Sequence, residues 1–201
     1  MIPDAVKSGF VEGAWYTRYR EYARDAHAFV EELHAALSQI DSVNLAVVDG
    51  NVRRDQLTPE VKTLFRRSDR LSTAARVFSA MSAEAFINLY GVVRLGESVY
   101  QKKLERQSIL NKLDLLFLIC ESIVLEEKDE IRTTLQRLAE QRNALVHNKA
   151  KELDPNNLRQ DDEIPNAAHE ALRLMGRFFE LFDELVPSSK PYLLDGVDPD
   201  D

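Results

Sequence analysis

Apolar side chains recur at intervals of three and four residues through most of this chain. This spacing places them on one face of an α-helix, where they can be buried together. Helices with one apolar face bury it only against one another, so the sequence predicts an all-α antiparallel bundle. Two stretches carry the pattern most clearly: residues 15–40, with Tyr19, Tyr22, Ala26, Phe29, Leu33 and Leu37, and residues 69–95, with Leu71, Ala75, Phe78, Met81, Ala85 and Val92.

The composition favours a single domain of about five to six helices. The chain has 201 residues, of which 44% are hydrophobic, enough for one sizeable core, and only 7 Gly and 7 Pro. Thr58-Pro59 predicts the start of a short helix that runs to about residue 66, with a separate, longer helix over 69–95. We expect the bundle to span residues 1–190 and residues 191–201 to form an acidic, mobile tail.

The cysteine usage and the hydropathy pattern predict a cytoplasmic protein. Cys120 is the single cysteine, so no disulfide can form within the chain. The N-terminus has no basic region followed by an apolar stretch, and the longest apolar run, at residues 115–119, is far shorter than the ~18–20 residues that span a bilayer. We therefore expect neither a secretion signal nor a membrane partner.

The charges are unevenly distributed along the chain. The net charge is −8, which argues against strong nonspecific affinity for nucleic acid. Residues 53–112, however, carry twelve Lys and Arg against six Asp and Glu. This segment forms either a basic face on an acidic protein or a set of charges spread over solvated helix surfaces.

Several familiar chemical sites are excluded because their motifs are missing. The sequence has no Gly-rich phosphate loop, no paired cysteines for zinc, no HExxH and no Gly-x-Ser-x-Gly elbow. His27 and His34 lie seven residues apart and so share a helix face. Without further ligands nearby, surface or packing roles are expected for this pair, and no metal or other cofactor is predicted.

The hexapeptide Arg142-Asn143-Ala144-Leu145-Val146-His147 is the segment that points to chemistry. It closes a predicted helix whose apolar face includes Ile131, Leu135 and Leu138, and the same spacing places Arg142 on that buried or half-buried face. A desolvated guanidinium needs an acceptor. Asn143 and His147 are neighbours on the adjoining face, so a fixed cation, an amide and an imidazole converge at the helix end.

An Arg, a polar residue directly after it and a His four to six residues beyond the Arg resemble the signature of the HEPN superfamily of all-α domains. The matching residues here are Arg142, Asn143 and His147, and residues 82–88 on the earlier long helix are similar to bacterial HEPN-like proteins. The resemblance covers about residues 70–150. It implies a ribonuclease of the toxin or phage-defence type, with an antitoxin or another neighbouring-gene protein as a partner.

The resemblance also implies a mechanism. Two protomers would pair so that both hexapeptides line one RNA-binding cleft, and cleavage would need no metal. His147 would act as general base or general acid, Arg142 would stabilise charge on the phosphorane, and Asn143 would orient the imidazole or a phosphate oxygen. Glu84 and Asn88, on the inward stripe of the long helix, are expected to lie close to Arg142 and support it.

Two positions after the His, this sequence departs from the HEPN toxins that are paired with nucleotidyltransferase antitoxins. Those toxins have a Tyr that receives a nucleotide, whereas this chain has Lys149. Lys149 and Lys151 either contact RNA phosphate or provide favourable charge at a helix C-terminus. As the alternative to catalysis, Arg142 pairs with an internal carboxylate, and the protein is a binding or scaffold module that recognises a protein or a nucleotide.

Overall fold

The computed structural model describes residues 18–42, 47–48, 51–52, 58–146 and 163–189. The all-α helical bundle predicted from the sequence is confirmed. A two-residue antiparallel ladder, β1 (Val47–Val48) and β2 (Asn51–Val52), lies between the first two helices. The six helices of the described part are α1 (Arg18–Asp41), α2 (Pro59–Leu95), α3 (Glu97–Lys103), α4 (Ile109–Leu116), α5 (Glu130–Val146) and α6 (Glu163–Leu185). The predicted acidic tail lies outside these residues.

Helix α2 corrects the prediction of two separate helices between residues 58 and 95. It begins as expected, because the Thr58 side chain accepts a hydrogen bond from the Val61 amide over 3.4 Å. It then runs unbroken for 37 residues, because residues 66–69 contain neither Pro nor Gly. The Ser68 hydroxyl does not cap a new helix but donates back to the Leu64 carbonyl over 3.1 Å. The helix ends at Gly96, whose φ of +81° suits glycine.

The helical segment that follows Ser108 has two parts. Ser108 caps α4 by accepting from the Asn111 amide over 3.2 Å. The chain continues from Leu116 as a π-helical turn, Phe117–Glu121, which ends at Ser122 with a left-handed φ of 60°. The wider turn leaves Leu118 and Ile119 half exposed, at 50% and 57%.

Two apolar clusters hold the helices together. The larger cluster is centred on Phe86 of α2, which is fully buried and packs edge-on against the rings of Tyr19 and Phe182, and it includes buried residues of α4, α5 and α6. The smaller cluster joins α1, the first half of α2 and Ala168 of α6. Among the described residues, no helix is both long enough and apolar enough to cross a membrane.

Candidate functional site

Helix α5 positions the first two residues of the hexapeptide. Its apolar face is buried as the spacing predicts, with Ile131, Leu135 and Leu138 each at most 2% exposed. One turn beyond Leu138, the Arg142 side chain is 30% exposed, so it is half-buried as expected from the sequence. Asn143, on the adjoining face, is exposed. The helix therefore presents the guanidinium at the edge of the bundle.

Arg142 is held by an ion pair with Glu84 of α2. The guanidinium Nη1 donates to Glu84 Oε2, and the Glu84 side chain is 33% exposed. A longer contact of 3.4 Å joins Arg142 Nη2 to the side-chain oxygen of Asn143. The expected closeness of Glu84 to Arg142 is thus confirmed. The ion pair fixes the guanidinium within one bundle while a third of its surface stays open to solvent.

Asn88 lies one turn beyond Glu84 on α2 and has different partners. Its side-chain oxygen accepts from the Lys112 ammonium over 2.9 Å and from the Tyr100 hydroxyl. Burial lowers the pKa of Lys112, whereas the nearby carboxylates of Glu84 and Glu105 raise it. Asn88 therefore anchors a buried lysine next to the ion pair, which the sequence did not predict.

The space for Tyr100 depends on a glycine. A Cβ atom built at Gly91 would come within 2.6 Å of two ring carbons of Tyr100. Since Gly91 has no side chain, the Tyr100 ring can approach α2 closely and donate its hydroxyl to Asn88. Lys112 in turn lies 5.9 Å from the centre of that ring. In the sequence, Gly91 within a long helix is the residue that could have indicated this close approach.

A shallow depression of about 170 Å³ borders this polar group on the side facing α1. It is smaller than the ~300–1,000 Å³ typical of pockets for drug-sized ligands. This volume suits a small polar group or several water molecules. The residues that line it are Arg18, Tyr22, Met81, Glu84, Ala85 and Asn88.

Three residues of the predicted site, His147, Lys149 and Lys151, lie outside the described residues. Of the others, the structure brings Arg142, Glu84 and Asn143 together, and it ties Asn88 to Lys112. Within the described ranges, no group of three or more His, Cys, Asp or Glu side chains is placed to hold a metal ion.

The cations of residues 53–112 are partly neutralised by the fold. Arg67 pairs with Glu32 of α1 over 2.9 Å, and Arg94 pairs with Glu121 over the same distance. Lys112, at 5% exposure, is withdrawn from the surface. These contacts neutralise or bury three of the twelve cations, which therefore cannot contribute to a basic face.

Comparisons of this chain with protein-family models, with curated proteins and with solved structures found no match. The resemblance of Arg142, Asn143 and His147 to the HEPN signature therefore stays a prediction. What the fold adds is the arrangement of Arg142, Asn143 and Glu84 at the edge of an all-α bundle.

Proposed function

We propose that this chain is a HEPN-like, metal-independent endoribonuclease of the toxin or phage-defence type that acts as a cytoplasmic homodimer. The observation that supports it most is the oriented, one-third exposed guanidinium of Arg142 in the last turns of α5, directly before the position of His147. A guanidinium has five N–H donors. The contacts with Glu84 and Asn143 use only part of this capacity, so Arg142 can also bind a phosphate oxygen.

In the proposed reaction the RNA supplies its own nucleophile. A base, His147 of one protomer, removes the proton of a 2′-hydroxyl, and the 2′-oxygen attacks the adjacent phosphorus. Arg142 stabilises the charge on the phosphorane oxygens, and Asn143 orients the phosphate. The bond to the 5′-oxygen breaks as that oxygen takes a proton from an acid, the His147 of the second protomer. The products carry a 2′,3′-cyclic phosphate and a 5′-hydroxyl.

The decisive experiment is incubation of the purified wild-type protein with a structured RNA in EDTA. We expect cleavage that a mock purification does not produce, with 2′,3′-cyclic phosphate ends on the 5′ fragments. A gel-shift measurement with the same RNA accompanies the assay. Binding without cleavage would reject the nuclease and leave the binding module.

The homodimer is a separate prediction, supported by an apolar patch at the π-helical turn. Leu118, Ile119 and Val124 are 50%, 57% and 74% exposed. Arg94 of α2 donates to the Cys120 carbonyl over 2.9 Å, which anchors the turn and presents the patch in a fixed shape. We expect this patch to form part of an interface larger than about 1,000 Å².

Sedimentation equilibrium at tens of micromolar tests the dimer. We expect the wild type to sediment as a dimer and Ile119→Glu as a monomer, because a charge in the interface would lack a partner. Val99→Glu is the matched control, since Val99 is 49% exposed but lies on α3, outside the patch. A monomeric wild type would remove the two-protomer site.

The second candidate function is a non-catalytic module that recognises a protein or a nucleotide. The specific observation in its favour is the same ion pair: Glu84 of α2 pairs with Arg142 within one bundle, as an internal structural contact would. In this case the hexapeptide stabilises the end of α5, and the depression beside Glu84 is a recognition surface.

Arg142→Lys separates the two candidates, because lysine keeps the charge but lacks the planar, multidentate donor group. The nuclease predicts near-normal melting with cleavage reduced at least about tenfold. The structural ion pair predicts a loss of about 1 kcal/mol in the free energy of unfolding, with any RNA binding retained. Urea denaturation measures the free energy of unfolding, and the EDTA assay measures RNA cleavage.

Arg137→Lys provides the control for this substitution. Arg137 lies on the same helix and also pairs with a glutamate, Glu170 of α6, but its side chain is 56% exposed. We expect Arg137→Lys to change neither cleavage nor unfolding measurably. Equal effects of the two substitutions would show that Arg142 has no special role.

A further inference from the structure

Two histidines from distant parts of the chain face each other across α1 and α6. The Nε2 atoms of His34 and His169 are 2.5 Å apart, although the residues are separated by 135 positions. The ring centroids are 4.5 Å apart, so the nitrogen edges of the rings approach each other. Both residues are exposed. The structure thus pairs His34 of α1 with His169 of α6, a contact that the sequence did not predict.

The chemistry of this contact is specific to imidazole. At least one of the two nitrogens must carry a lone pair, because two N–H groups directed at each other would repel. At neutral pH a histidine nitrogen with its lone pair directed outward is the commonest metal ligand in proteins. Two such nitrogens on separate helices form a bidentate ligand pair.

We propose that His34 and His169 bind a divalent transition-metal ion of the zinc, nickel or copper class, which links α1 to α6. A tetrahedral ion with metal–nitrogen bonds of ~2.0–2.1 Å would hold the two Nε2 atoms about 3.3 Å apart. Metal binding therefore requires the two rings to move apart from their present separation of 2.5 Å. Because the site is at the surface, water completes the coordination.

The neighbouring charges are compatible with a cation at this place. Arg173 lies one turn beyond His169, but its guanidinium is bound in two hydrogen bonds of 2.8 and 2.9 Å by the carboxylate of Glu170. Glu170 also binds Arg137. The carboxylate of Glu170 thus holds one arginine of α5 and one of α6, which limits the repulsion of an ion by these two cations.

A zinc-dependent shift in melting temperature tests the site on the full-length chain without an affinity tag. At zinc concentrations about ten times the dissociation constant, we expect the wild type to melt about 3–6 °C higher, and EDTA to reverse the shift. Magnesium, which prefers oxygen ligands, should cause none. Calorimetric titration should give one zinc per chain.

Single substitutions decide whether these two histidines are the ligands. His34→Ala and His169→Ala should each abolish the zinc shift while melting within about 2 °C of the wild type in EDTA, because both side chains are exposed. His27→Ala, an exposed histidine on the same helix as His34, should keep the full shift. A shift that survives both His34→Ala and His169→Ala, or no shift in the wild type, would overturn the metal site and leave a shared-proton hydrogen bond. Neither result would bear on the proposed RNA cleavage.

Discussion

His147→Ala is expected to lower EDTA-resistant RNA cleavage by about 10²–10⁴-fold, the range typical for loss of a general acid or base. In the hexapeptide, His147 is the one side chain that titrates near neutral pH, so no neighbour within that segment can take over the proton transfer. Rates are measured under single-turnover conditions with end-labelled RNA, so that product release does not limit them.

The same variant should fold normally. His147 directly follows Val146, the last residue of α5, and the sequence predicts little packing at this end of the helix. We expect its melting temperature to stay within about 2 °C of the wild type. His27→Ala is the matched control and should cleave at the wild-type rate. If His147→Ala cleaves as fast as the wild type, the catalytic assignment of His147 is wrong.

Phe86→Ala is expected to lower the free energy of unfolding by about 3–5 kcal/mol, the usual cost of removing a buried phenylalanine. Phe86 is fully buried, and its ring packs against five other aromatic rings. The substitution would leave a cavity at the point where α1, α2 and α6 meet. Urea denaturation followed by circular dichroism measures the loss.

Phe78→Ala serves as the control because it is the same substitution two turns earlier on α2. Phe78 is only half-buried and packs edge-on against Tyr22 and Phe29. We expect it to cost about 1–2 kcal/mol, since part of the side chain is already in water. Equal losses at the two positions would contradict the assignment of Phe86 as the centre of the larger cluster.

The helical faces could be predicted from the sequence because burial follows a local, periodic rule. The same rule placed Arg142 correctly at the edge of the apolar face of α5, and it placed Glu84 near it on the inward side of α2. The predicted break between residues 66 and 69 was wrong for a related reason. Ser68 and Asp69 resemble the start of a helix locally, whereas nothing in the chain there prevents a helix from continuing.

Two other contacts between residues distant in sequence could not be predicted. Lys112 lies in an apolar segment, and its spacing of four from Leu116 could have marked it as buried, but nothing local identified Asn88 as its acceptor. The meeting of His34 and His169 depends on how α1 and α6 cross, which periodicity does not determine. In the same way, the position of His147 relative to a second protomer depends on how two chains pack together, which periodicity does not determine.

The larger apolar cluster determines how the depression beside Glu84 behaves. One wall, with Met81, Glu84 and Asn88, belongs to the half of α2 that the larger cluster holds, whereas Arg18 and Tyr22 belong to α1. The start of α1 is held by the larger cluster as well, because Tyr19 packs against Phe86 and its carbonyl accepts from the Ser82 hydroxyl over 2.7 Å. Both walls of the depression are therefore fixed to the same cluster, so the shape offered to a ligand there is preformed.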